Sequence, residues 1–114
     1  MPPTDTNSGA LPAAKAIDLA DLVDYQDGSV VSRTLAGHEA ATITLFAFAT
    51  GQSLSEHTAP FDALVHILDG TAELTIGGDL ILATTGQAVL MPADIPHALN
   101  AAEPFKMLLT MLRR

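Results

Sequence analysis

From residue 28 onward, short apolar runs alternate with glycine, proline and aspartate at close intervals. That pattern predicts strands over 29–35, 42–48, 63–68, 71–76, 79–83, 88–91, 97–101 and 105–112. The 42–48 run, TITLFAF, is rich in β-branched and aromatic residues, and Gly51 closes it. In the 71–76 run Ala72, Leu74 and Ile76 share one face, with Thr71, Glu73 and Thr75 on the other. Gly77-Gly78 then supplies a two-residue hairpin turn that tolerates positive φ. Asp69-Gly70 and Pro92 read as stops. Turn signals recur about every 8–12 residues and no long helical period is present, so the fold class is all-β, an antiparallel sandwich or barrel.

The beginning of the chain reads differently. Residues 1–14 carry Pro2, Pro3, Asn7, Ser8, Gly9 and Pro12 and have little to bury, which predicts a flexible or extended tail over 1–16. A single barrel domain then fills 17–114. The segment 15–23, KAIDLADLV, fits a short helical turn, and equally an extended arm with Ile17, Leu19 and Val23 at odd spacing.

Several strands are apolar on both faces. Ala63, Val65 and Ile67 oppose Leu64, His66 and Leu68, while Phe105, Met107, Leu109 and Met111 oppose Lys106, Leu108, Thr110 and Leu112. A closed barrel has one inner face, so the other apolar face needs a cover. The N-terminal arm or a second subunit would supply it, and a homodimer is the expectation.

Composition narrows the classes. A chain of 114 residues makes one domain with one core, and 48% hydrophobic residues with only 4% aromatics make that core aliphatic. The absence of cysteine excludes a disulfide scaffold, thiol catalysis and cysteine-ligated zinc. Thirteen acidic residues against five scattered basic ones repel a phosphate backbone, so nucleic acid is not expected as a partner. No apolar run reaches the 18 or so residues of a membrane span, and no basic segment precedes an apolar one at the start. The expectation is a soluble cytoplasmic protein with no membrane partner.

Two segments carry the candidate chemistry. One runs from Gly51 through His57, Ala59, Pro60, Phe61, Asp62 and Ala63 to Gly70; the other runs from Gly86 through Pro92, Asp94, Pro96 and His97 to Asn100 and Ala101. Together they resemble the two motifs of the cupin superfamily: Gly, five residues, His-x-His, three or four residues, Glu, six residues, Gly; then Gly, five residues, Pro-x-Gly, two residues, His, three residues, Asn. The resemblance covers about residues 28–112 and implies a small RmlC-like cupin, a double-stranded β-helix or jelly-roll barrel. It also implies metal ligands at His57 and His97. The family's second histidine and its glutamate fall on Ala59 and Ala63, its second-motif glycine on Asp94, and its asparagine on Ala101.

Two imidazoles are fewer than the three protein ligands of an ordinary catalytic metal site. Asp62 and Glu56 sit beside lost or retained ligand positions, with the wrong strand parity to face inward without a bulge. His66 reads as an outer-face residue, His38 as a solvated loop residue, and Met91, Met107 and Met111 as core filler near the barrel interior.

The expected pocket is lined by His57, His97, Ala59, Ala63 and Phe61. The alanines enlarge it and suit it to a small organic molecule, with the two histidines as polar contacts. The alternative is a metal-dependent enzyme of dioxygenase or isomerase type. It would use His57 and His97, a third ligand or water, and a divalent transition metal as cofactor. A partner module without catalysis is the third reading. The dimer has a direct check: light scattering at micromolar concentration is expected to return twice the mass of one chain, and a mass near one chain would contradict it.

Overall fold

In the computed structural model, which describes residues 10–113, the chain folds into eight strands that build two facing antiparallel sheets. Residues 1–9 of the expected tail and Arg114 lie outside the described residues. The strands are β1 (Val30–Gly37), β2 (Ala41–Phe48), β3 (Ser53–His57), β4 (Asp62–Ile76), β5 (Asp79–Thr84), β6 (Ala88–Met91), β7 (His97–Asn100) and β8 (Phe105–Leu112). One sheet runs β1-β2-β8-β4-β6 and the other β3-β7-β4-β5, so β4 belongs to both. This is the double-sheet jelly roll.

Two features depart from the expected strand list. The runs 63–68 and 71–76 are one continuous strand of 15 residues, bent rather than broken at Asp69-Gly70. A register shift against β8 falls between Ile67 and Asp69, and it changes the inward parity. Ala63, Val65 and Ile67 face the core before the bend; Ala72 and Leu74 face it after. Gly70 sits at the bend with φ 81°, opposite Phe105. A Cβ there would collide with the carbonyl oxygen of Pro104 and lie 3.1 Å from Phe105 Cα. The second departure is β3, whose sequence SLSEH is short and largely exposed and has no apolar alternation to announce it.

The inner faces share one core. Phe48 and Phe105 are register partners, fully buried, with stacked rings 4.6 Å apart, and they close one end of the barrel. Toward the other end the inward residues of β8 are Met107, Leu109 and Met111.

Part of the outer apolar face of β1-β2-β8-β4 is covered by the chain's own arm. The open reading of residues 15–23 resolves as a single 3-10 turn, Leu19–Leu22, followed by extended backbone. Leu19, Leu22 and buried Val23 pack on Leu35, Leu45, Ala47, Leu68 and Leu108. Burial of a side chain such as Val23 contributes about 1.5–3 kcal/mol. Polar contacts ring this cluster: Lys106 Nζ donates to Ala20 O (2.6 Å), Arg33 to Leu22 O (3.3 Å) and Tyr25 Oη to Asp69 (2.5 Å). Lys106 also lies 5.1 Å from the centre of the Tyr25 ring. Desolvation, and then the Asp69 carboxylate, push the Tyr25 phenol up from its ordinary range. Beyond the arm, Leu64, Leu90 and Leu112 remain exposed on the same sheet.

The bend yields a prediction. Gly70→Ala adds a Cβ against backbone at a positive φ, so it should destabilise the fold by more than about 2 kcal/mol. A lowered urea midpoint with an unchanged slope would bear this out. A midpoint equal to that of the parent protein would contradict it.

Candidate functional site

The site is built where β3 and β7 lie side by side. His57 ends β3, His97 begins β7, and the two are register partners. A register shift between Leu54 and His57 lets both line the same interior despite their odd spacing. The loop before His97 is tethered on three sides. Ala93 N donates to Asp62 Oδ1 (2.8 Å), Asp94 N to Ala59 O (2.8 Å) and Gly77 N to Pro96 O (2.8 Å). Asp94 adopts φ 65°, a left-handed conformation that aspartate tolerates and glycine adopts freely. Asp62 therefore braces the loop from beside the cavity.

The imidazoles are oriented by backbone. Nδ1 of His57 is 2.8 Å from Ser55 O, and Nδ1 of His97 is 3.2 Å from Ile95 O. A carbonyl only accepts, so each Nδ1 carries the hydrogen. With both Nδ1 hydrogens in place the Nε2 atoms are the bare ring nitrogens, and they lie 3.1 Å apart, at hydrogen-bond distance. The rings meet edge to face with centroids 4.4 Å apart. Two lone pairs at that distance repel unless a hydrogen or a cation stands between them. His97 is buried, at 5% exposure, while His57 is open to solvent. Desolvation is the main cause that holds the His97 pKa below its ordinary value; the Ile95 carbonyl opposes it, and His57 adds to it.

The cavity that the histidines enter has a volume of about 60 Å³. Its remaining wall is Leu54, Ala59, Ala63, Met91, Leu99, Met107, Leu109 and Met111. The histidines and alanines expected at the pocket are thus brought together. Phe61 is not: it is half-buried, with the Arg113 guanidinium 5.7 Å from its ring centre. Pro60 and the turn into β4 carry it away from the interior. Beside Ala59 and Ala63 the cavity is small. Ala63 pairs with Met91 on one side and Met111 on the other, and these long side chains line the space that the alanine leaves. The methionines look like filler in the sequence, and only the cross-strand register brings them to Ala63.

Other candidates lie elsewhere. His66 is half-buried on the outer face between Ala88 and Leu108. Exposed His38 accepts from Ala40 N within its turn. Asn100 donates to Glu73 on the barrel exterior. An open groove of about 850 Å³ between the arm and β1 holds none of the expected site residues. Among the described residues no group of three or more His, Cys, Asp or Glu converges, and no helix is long and apolar enough to cross a membrane.

Comparison with known proteins follows the same lines. Residues 44–111 match the family model described as the cupin domain. The chain is similar to a conserved protein of unknown function from Streptococcus pyogenes, with 40% identity, a TM-score of 0.87 and 91% of each chain covered. It is similar to a cupin superfamily protein from Desulfitobacterium hafniense at 34% identity and a TM-score of 0.86, over 91% of this chain and 95% of that one. A cupin 2 conserved barrel domain protein from Leptotrichia buccalis is 40% identical with a TM-score of 0.80, over 82% of this chain and 46% of that one. No curated protein matches the chain.

The burial of His97 sets a pH response. A depressed pKa in the folded state means stability that is present above about pH 6.5, the ordinary histidine value, and lost as pH falls through the folded pKa. Nuclear magnetic resonance titration should place His97 below the ordinary value. In His57→Leu it should stay below, because burial outweighs the neighbouring ring. Its return to the ordinary value in that variant would contradict the assignment.

Proposed function

This chain belongs to the cupin superfamily, and from that premise we propose that it is a small stand-alone cupin binding a small organic molecule through its two facing imidazoles. The observation that carries the reading is the pair of Nε2 atoms 3.1 Å apart, each oriented by a carbonyl on its Nδ1. Such a pair attracts an electron-poor centre. An N–H or O–H group is one such centre, and the apolar wall suits a small hydrocarbon body behind it. An anion fits the neutral pair poorly, because neither ring then has an Nε2–H to offer.

The cavity limits the size of the ligand. Its 60 Å³ is the share of about two waters in the liquid, far below the roughly 300 Å³ at which pockets for drug-sized ligands begin. A body of a few heavy atoms fits with the methionines as they stand, and a longer one extends past exposed His57 into solvent.

The metal-dependent enzyme was the alternative, and the family's divalent centre does not fit the donors here. Two of its four ligand positions are Ala59 and Ala63, and Asp62 is engaged with Ala93 N. No reaction step through such a metal is derived. The homodimer stands as a proposal beside this one. The arm takes up part of the outer face, and Leu64, Leu90 and Leu112, all at least 40% exposed, are what a second copy would cover.

The binding reading is tested with a panel of small alcohols, phenols, amides and azoles. Side-chain resonances of His57 and His97 should shift together with the methyl signals of Met91, Met107 and Met111, and saturate, for at least one class. The response should vanish in His57→Ala. Shifts confined to residues outside the barrel, or equal in that variant, would contradict the reading.

A further inference from the structure

We propose that the free edge of β5 is a docking site for an extended peptide segment, one with apolar residues at alternate positions and basic residues beside them. No residue of β5 lines the cavity, so this site is separate from the one just described.

The turn before β5 fixes which backbone groups are free. β5 pairs with β4 along one side, and among the described residues no strand pairs with its other side. Gly77 and Gly78 have φ 58° and 89°, the type I′ pattern, in which Ile76 and Asp79 close the turn as a hydrogen-bonded pair. Bonded and non-bonded pairs alternate along an antiparallel ladder. Leu74–Ile81 and Ala72–Ala83 are therefore bonded pairs, whereas Leu80, Leu82 and Thr84 aim their N–H and C=O groups outward. Thr84 agrees with that parity: its N–H donates to Gln87 Oε1 (2.8 Å), and its carbonyl accepts from Gln87 N (2.9 Å). Gln87 thus closes the edge at Thr84, and among the described residues nothing comparable meets Leu80 or Leu82.

The side chains add to the open edge. Leu80 and Leu82 are 63% and 59% exposed, the highest values among the exposed large hydrophobic residues. Edge strands are ordinarily blunted by lysine, proline, a bulge or a cover. β5 reads DLILAT, and its register against β4 is unbroken. A strand added in bonded pairs with Leu80 and Leu82 sets its own opposing side chains on the face of those leucines. Main-chain bonds then give the affinity and alternate side chains the selectivity.

Charge selects the occupant. Leu82 is the register partner of Glu73, and both border a depression of about 220 Å³ with Thr71, Ala102 and Glu103. Asn100 donates to Glu73, and no basic side chain lines the depression. A lysine or arginine can lay its stem over Leu82 and bring its head to the two carboxylates. A second copy of the chain is the poorer occupant. Pairing β5 with itself across a twofold axis brings Glu73 and Asp79 of both chains toward one contact, in a protein whose net charge is −8.

The probe is the blocked heptapeptide Arg-Thr-Val-Thr-Val-Thr-Arg, whose valines and arginines share one face. It is titrated into isotope-labelled protein and followed by nuclear magnetic resonance. The amide signals of Leu80 and Leu82 should shift and saturate, and their exchange with solvent should slow. Methylation of both valine nitrogens removes the donors that meet the edge and should weaken binding at least about tenfold. The E73Q/E103Q variant keeps side-chain size and should bind about threefold or more weakly, with a flatter salt dependence.

Equal binding of the methylated peptide would overturn strand addition. Equal binding of a peptide with glutamate in place of arginine would overturn the choice of a basic partner. Leu80 and Leu82 shifts that follow protein concentration alone would make a second copy the occupant and overturn the proposal, as would the absence of any shift at millimolar peptide.

Discussion

One bent strand organises the molecule. β4 pairs with β8 and β6 before Gly70 and with β5 and β7 after it, so a single backbone ties the two sheets together. The tie needs two things at one place. The register shift near Asp69 changes which residues face inward, and Gly70 allows Phe105 and the Pro104 carbonyl to approach the backbone closely. From that corner Ala63 is fixed in the row of Met91 and Met111, while Ile76 at the far end pairs with His97. The two walls of the cavity are therefore set by opposite ends of the same strand.

The arm solves the problem that the strands create on their outer side. A jelly roll with one inner core has no use for a second apolar face, yet Leu35, Leu45, Ala47, Leu68 and Leu108 form one. The 3-10 turn Leu19–Leu22 and Val23 cover it, and Lys106, Arg33 and Tyr25 hold the cover at its edges. Lys106 and Arg33, two of the five basic residues, both donate to carbonyls of the arm.

Fold and site differ in how far they can be read from residues in order. Glycine spacing around Gly51, Gly70 and Gly86, and the alternation in strands such as 71–76, are local signals that survive in one dimension. An antiparallel sandwich or barrel follows from them, and the resemblance of the two motif segments implies its double-sheet form. Asp69-Gly70 reads as a stop because glycine breaks and bends strands with the same letters; only pairing on both sides makes it a bend. Strand β3 is polar and short, so it carries no alternation. Cavity size depends on the strands that flank β4 on either side. Alanine at 59 and 63 implies room, whereas Met91 and Met111 occupy the row beside Ala63 through a register that no linear pattern encodes. Phe61 follows Pro60 at the rim, and its outward turn toward Arg113 is likewise a tertiary outcome.

The account of the site rests on the hydrogen positions of two imidazoles. Ser55 O and Ile95 O each claim an Nδ1 hydrogen, which leaves two bare Nε2 atoms 3.1 Å apart as the shared target of an occupant. Everything proposed for the cavity depends on that shared target. Long-range proton–nitrogen correlation spectra at mildly alkaline pH measure it directly, because protonated and unprotonated ring nitrogens resonate far apart. The expected result is a protonated Nδ1 and an unprotonated Nε2 in both His57 and His97. A hydrogen on Nε2 of either ring, with its Nδ1 bare, would contradict the account.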